Sequence, residues 1–151
     1  RACGQRHQSI KIPTGMSVLI QSVAPQFVAQ LWPQVEPLIA KAEKHGGGDY
    51  NMDQIRMYLN LGMWWLVVVT KEEQIVGAVT GNFMSYPNDR VAFITTMGGE
   101  EMCNDDALNQ LRQILKSQGA TKIQAACRES MVRLVQKIGF VSRYTVVETN
   151  I

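Results

Sequence analysis

Residues 91–111 read VAFITTMGGEEMCNDDALNQL: an apolar stretch, a Gly-Gly pair, a cluster of acids, then the start of an amphipathic run. A strand, a glycine-rich turn and a helix in that order are the parts of an anion site. The first backbone N–H groups of a helix lack intrahelical partners, and the helix dipole is positive at that end. The charges run the other way. Glu100, Glu101, Asp105 and Asp106 fall within seven positions, the turn holds no basic residue, and the first positive charge downstream is Arg112. A carboxylate about 6 Å from a phosphate, at an effective dielectric near 20, costs roughly 2–3 kcal/mol before salt screening. The same acids suit a helix N-terminus that binds nothing, with Asn104 or Asp105 as its cap and Asp106 in the first turn. The stretch is either a phosphate cradle or a self-capped helix, and the self-capped helix is the simpler reading.

The elements that would position this turn follow from periodicity. Residues 18–23 (VLIQSV) read as a first strand. From Ala24 the spacing of Phe27, Val28, Leu31 and Trp32 is helical, and Pro33 and Pro37 predict a break near Trp32 before a second piece running to about His45. Asn51 can cap a short helix with Met52, Ile55, Tyr58 and Leu59 as its apolar stripe and Gly62 at its end. Residues 64–70, 75–86 and 90–97 then predict three consecutive antiparallel strands. A helix from about Asn104 to Ser117 closed by Gly119, a strand 122–127, a helix from about Glu129 to Lys137 closed by Gly139, and a strand 140–148 complete the chain.

Composition limits what such a domain can be. At 151 residues, 46% apolar and 19% charged, the chain reads as one globular domain over 16–151, and no apolar run approaches the about 18 residues that a membrane span needs. The formal charge of +2 arises in residues 1–15, which hold Arg1, Arg6 and Lys11 and no acid; the remainder has 12 basic and 13 acidic residues. The body therefore has no basic field for nucleic acid. Residues 1–15 are a leader, an extension or a tag. Cys3, Cys103 and Cys127 form no CxxC pair, and neither His7 nor His45 lies near two further ligands, so free thiols and no metal site are expected, with Cys127 in the core. Trp64 and Trp65 are expected to pack on the sheet, and Met52, Met57, Met63, Met84, Met97, Met102 and Met131 to fill gaps in the core.

The order β, α, α, β, β, β, α, β, α, β, with a Gly-rich turn after the fourth strand, resembles the GNAT superfamily of N-acetyltransferases. So does the closing stretch CRESMVRLVQKIGFVSRYTVVE, in which Lys137, Ile138, Gly139 and Phe140 lead from the last helix into the last strand. LWPQVEPLIAKA (31–42), the Trp64-Trp65 pair, MGGEEM (97–102) and the spacing from QGATKI to CRESMVRLVQKIGF are similar, more narrowly, to acetyltransferase-like proteins of bacteriophage morphogenesis regions. The resemblance implies an α/β (α+β) GNAT-like fold: a mixed, mostly antiparallel sheet of about six strands with four to five helices, splayed between strands four and five. It implies acetyl-CoA in that splay, with Met97, Gly98 and Gly99 as the cofactor-binding residues.

The chain departs from that pattern in its charges and its catalytic groups. Active relatives have a basic Gly-rich turn, a Tyr in the last helix where this sequence has Val135, and a Glu near the fourth strand, for which Glu100 and Glu101 are the substitutes here. What is implied is a phage-encoded acetyltransferase-like protein with a degenerate acetyl-CoA site and weak or lost N-acyltransferase activity. The alternative is a non-catalytic virion or assembly component with phage structural proteins as partners. Either is expected in the host cytoplasm or on the virion, without a membrane or nucleic-acid partner.

Overall fold

The computed structural model describes residues 18–102 and 104–151. The expectations for residues 1–15 and for the thiols of Cys3 and Cys103 lie outside the described residues. Five strands, β1 (Leu19–Val23), β2 (Trp65–Lys71), β3 (Gln74–Ser85), β4 (Arg90–Gly99) and β5 (Lys122–Ala125), form one sheet in the order β1-β2-β3-β4-β5. The first three pairings are antiparallel and β4–β5 is parallel. Among the described residues four α-helices accompany them: α1 (Val28–Glu43), α2 (Met52–Asn60), α3 (Asp105–Ser117) and α4 (Glu129–Gln136), with a 3-10 turn at Pro25–Phe27. The parallel pair needs a crossover, and α3 supplies it.

Both faces of the sheet are covered, which explains the nearly continuous apolar run of β2. Val67, Val69 and Val79 pack under Leu108, Leu111 and Leu115 of α3. Leu66, Val68 and Ala78 face the other way, against Val28, Trp32, Val35 and Ile39 of α1 and Ile55 and Leu59 of α2. Each fully buried leucine contributes roughly 1.5–3 kcal/mol over its exposed state. Trp64 and Trp65 divide between the two faces, and both are buried. Gly81 makes room for one of them: a Cβ there would overlap the Trp65 ring. The Gln110 side chain of α3 holds the edge strand at both backbone groups, donating to Val18 O (2.8 Å) and accepting from Ile20 N (2.9 Å).

Four expectations are corrected. The helix of residues 28–43 does not break at Pro33, because Pro33 and Pro37 lie four apart on its exposed side, where the carbonyls they leave unbonded reach water. Among the described residues the sheet has five paired strands rather than about six: residues 140–148 join no ladder, and residues 141–151 are exposed throughout. With no neighbour on its outer side, β5 stops at Ala125, and Cys127 is an exposed free thiol rather than a core residue. Met102 is buried as expected, but Met57 and Met131, on the solvent side of their helices, and Met63, in the loop before β2, are exposed.

Two local features carry predictions. The β2–β3 turn has Glu72 and Glu73 at φ of 51° and 66°, the left-handed pair of a type I′ turn that Asn-Gly satisfies with less strain. Replacing Glu72→Asn and Glu73→Gly together is expected to add about 1 kcal/mol of stability and raise the melting temperature by about 3–5 °C in a calorimetric scan. At the other end of the sheet, Asp89 joins the β3–β4 turn to β5 through Lys122 Nζ (3.0 Å) and the Thr121 hydroxyl (3.0 Å). The Lys122 hydrogen bond, then the Thr121 one, hold its carboxyl below the ordinary 3.8. A depressed carboxyl stabilises fully above its unfolded value and loses that contribution as pH falls through the lower folded value. Asp89→Asn should therefore melt earlier than the parent at neutral pH. The two melting curves should converge as the pH is taken below 3.8.

Candidate functional site

The site begins where two strands part. β4 pairs with β5 only from Val91↔Lys122 to Ile94↔Ala125, whereas its pairing with β3 continues to Gly77↔Gly99. Beyond Ile94 the outer edge of β4 is open. The β3–β4 register shifts at this point: Gly81 faces Ile94 and Thr80 faces Thr96, so Thr95 is an extra residue on β4, a β-bulge. Such a bulge bends its strand and re-aims the side chains that follow.

A hydroxyl cluster marks the bulge. Thr80 Oγ1 lies 2.7 Å from Thr95 Oγ1 and 2.6 Å from Thr96 Oγ1, with Thr80 and Thr96 buried. One hydroxyl has a single proton and two lone pairs, so Thr80 can donate to one partner and accept from the other. Two residues along β3, Asn82 points to the same face by strand alternation. Its Oδ1 is buried and has no hydrogen-bond partner. A buried carbonyl oxygen without a donor costs about 1–3 kcal/mol, so this acceptor suits the N–H of a bound molecule or an ordered water.

Around the opening stand the end of α1, the N-terminus of α3 and the start of α4. Gly98 is buried against α1: a Cβ there would overlap the Leu38 carbonyl and touch Ala42. Gly99, at φ 100°, lies against the backbone of Val76 and Gly77, and Glu100 N bonds Val76 O (2.9 Å). Met97 packs into the α3-side core. The Gly-Gly pair is thus the last turn of a paired strand, and close backbone contact accounts for both glycines.

The acids are also engaged locally. Glu101, at φ 67°, forms an ion pair with Lys71 at 3.0 Å, so it is not a free base. Asn104 caps α3 by accepting from Ala107 N (2.8 Å) while its amide donates to Glu101 O (3.1 Å). Asp106 accepts from Gln110 (3.1 Å), and Glu100 is exposed. Across the opening, the Arg128 guanidinium at the start of α4 donates to the His45 carbonyl at the end of α1. In the neighbouring α1–α2 connection, burial pushes the Glu43 carboxyl up and Asp49 adds to it; burial likewise raises the Tyr50 hydroxyl, with Asp49 and Glu43 adding. Val135 is half-buried in α4 and offers no proton. Among the described residues no group of three His, Cys, Asp or Glu could hold a metal. No helix of the described residues is long and apolar enough to cross a membrane.

Met97 to Gly99 end β4, and Glu100 and Glu101 lie in the turn that follows it. Sequence reasoning missed Thr80, Asn82, Lys71 and Arg128, whose partners lie 15, 30 and 83 residues away for Thr80, Lys71 and Arg128. A polar residue inside the long apolar strand 74–85 was the one available signal for Thr80 and Asn82.

Solved structures share this fold. An aminoglycoside acetyltransferase from an uncultured soil metagenomic sample, in complex with trehalose, superposes with a TM-score of 0.66 at 12% identity, covering 89% of this chain and 95% of that one. A GNAT family acetyltransferase of Staphylococcus aureus gives 0.61 at 14% identity, covering 90% and 100%. The fold is that of the GNAT acetyltransferases. A predicted acetyltransferase with acetyl-CoA from Clostridium acetobutylicum has the same fold, with a TM-score of 0.59, 15% identity and coverage of 89% and 96%. No family model and no curated protein matches the sequence.

Tested against acetyl-CoA, the two ends of the opening differ. The acyl end fits: past the bulge, β4 offers unpaired backbone groups along an open edge. The pyrophosphate end does not fit, because Asn104 already caps α3, Lys71 is taken by Glu101, and no free cation stands in the turn. Gly98→Ala is expected to cost about 1–3 kcal/mol in urea unfolding, because the added methyl must displace the α1 backbone at Leu38. An unchanged midpoint would show that α1 can shift freely and would leave Gly98 without a packing role.

Proposed function

We propose that the chain is an acetyltransferase-like protein that keeps the acyl-binding edge of the GNAT fold and has lost most of its grip on the cofactor's phosphates, leaving N-acyltransferase activity weak or absent. The observation that carries this is the β4 bulge at Thr95, with the open strand edge beyond it, next to a helix N-terminus capped by its own Asn104 and flanked by acids. Met97, Gly98 and Gly99 would meet the cofactor through backbone groups, and Asn82 Oδ1 is suited to receive a donor from the acceptor molecule. Glu101 is held by Lys71, which leaves Glu100 as the carboxylate free to accept a proton. Positioning alone can support slow transfer.

The second reading is a non-catalytic scaffold whose contacts are protein partners. Val135 in place of a proton donor and the self-capped α3 favour it. A place among phage assembly proteins, in the host cytoplasm or on the virion, rests on the resemblance of LWPQVEPLIAKA, MGGEEM and the C-terminal stretch. Fixed copy number in purified particles would support it, and absence from particles and assembly complexes would remove it.

Calorimetric titration with acetyl-CoA separates the readings when the parent is compared with Glu100→Arg plus Glu101→Gly. The first change adds a cation; the second frees Lys71 and places glycine at a left-handed φ, so the fold should tolerate both. The variant is expected to bind about tenfold more tightly, a gain of about 1.4 kcal/mol left after screening. A folded variant that binds no better than a non-binding parent would show the cleft to be closed and would leave the scaffold reading.

A further inference from the structure

The opening beyond Ile94 treats the two halves of a nucleotide thioester differently. From Thr95 to Gly99, β4 keeps its ladder to β3, and among the described residues no strand lies beside its outer edge. At about 3.3 Å per residue this is about 16 Å of edge with unpaired N–H and C=O groups. A pantetheine arm carries two amide groups and, extended, has the length of about four residues of chain, roughly 13–14 Å. It can therefore lie along this edge and exchange hydrogen bonds with it as a strand does. Near the bulge, the buried Asn82 Oδ1 still lacks a donor.

The far end of the same edge has the opposite character. Glu100, Asp105 and Asp106 stand exposed in the turn and the first turn of α3, and Lys71, the cation that reaches them, is held by Glu101 at 3.0 Å. Two backbone donors of this turn are already bonded, Glu100 N to Val76 O and Ala107 N to the Asn104 side chain. The end of α1, which also frames the opening, has the same sign. Burial first, and Asp49 second, raise the Glu43 carboxyl above its ordinary value, although Lys41 and Lys44 are its near neighbours in sequence. Arg128 is turned to the His45 carbonyl. Coenzyme A carries its negative charge on a diphosphate and a further phosphate, and these would meet carboxylates on both sides. Like charges between low-dielectric walls repel more strongly than in open water.

We propose that this opening takes an acyl thioester borne on a pantetheine-type arm without the adenosine phosphates, and that its acidic end selects against acetyl-CoA. The proposal rests on the acyl-binding edge put forward above and goes beyond it by naming the class of donor. Glu100, Asp105 and Asp106 are then selectivity elements that reject a nucleotide, rather than the worn remains of a phosphate site. Rejection by like charge is a recognised route to specificity, because it removes the competitor without adding a contact to the preferred ligand.

Calorimetric titration of the full chain with S-acetylpantetheine and with acetyl-CoA, at about 30 mM and about 300 mM salt, tests this. At the lower salt S-acetylpantetheine is expected to bind at least about tenfold more tightly, with an affinity that salt leaves unchanged. Acetyl-CoA, measured by competition, should bind better as salt rises, the reverse of an anion held by cations. Glu100→Gln with Asp105→Asn keeps the Asn104 cap; it should improve acetyl-CoA severalfold and leave S-acetylpantetheine as it was. Amide resonances of Thr95 to Gly99 should move on adding S-acetylpantetheine, and shifts confined to other residues overturn the proposal. Acetyl-CoA bound as tightly as S-acetylpantetheine, or losing affinity with salt, overturns the donor class and leaves the acyl edge standing. Binding of neither thioester overturns both.

Discussion

The parting of β4 from β5 after Ile94 is the constraint from which the rest of this molecule follows. A parallel pair would ordinarily continue its ladder as far as both strands last. Here Thr95 is inserted as a bulge, and the β4 strand bends away while its antiparallel bonds to β3 persist to Gly99. The bend is held from inside by three threonine hydroxyls, since undoing it would strand Thr80 and Thr96 as unpaired buried groups. It also reverses which residues face α1 and α3, so that Ile94 and Met97 share one face while Thr96 and Gly98 share the other.

Helix α1 follows from that reversal. Gly98 arrives on the α1 face without a side chain, and α1 can lie with its Leu38 carbonyl close to the strand. The end of α1 then reaches the start of α4, where Arg128 takes the His45 carbonyl. The opening is therefore framed by elements that hold one another. At its rim Glu101 pairs with Lys71, and Asn104 pairs with the α3 backbone.

Much of the frame was legible in the sequence. The β2–β3–β4 succession, the Asn51 cap, the Asn104 cap and the glycines closing α2, α3 and α4 all appear where spacing put them. These are features that residues within four or five positions decide. Pro33 and Pro37 misled, because a proline stops a helix only when the carbonyl it leaves free has nowhere to go, and here both face water. Residues 140–148 have the composition of a strand and no strand beside them, because pairing depends on a neighbour that composition does not name.

The sequence by itself determined the element order, the apolar faces and the acidic character of the turn after β4. These rest on periodicity, capping and charge, which act over one or two turns of chain. Only the tertiary structure decided what the Gly-Gly pair is for, that Glu101 has a cation, and that Asn82 has an acceptor with no donor. Those facts arise from contacts across strands and helices, and no local spacing encodes the atom that lies opposite a glycine or a carboxylate once the sheet has formed.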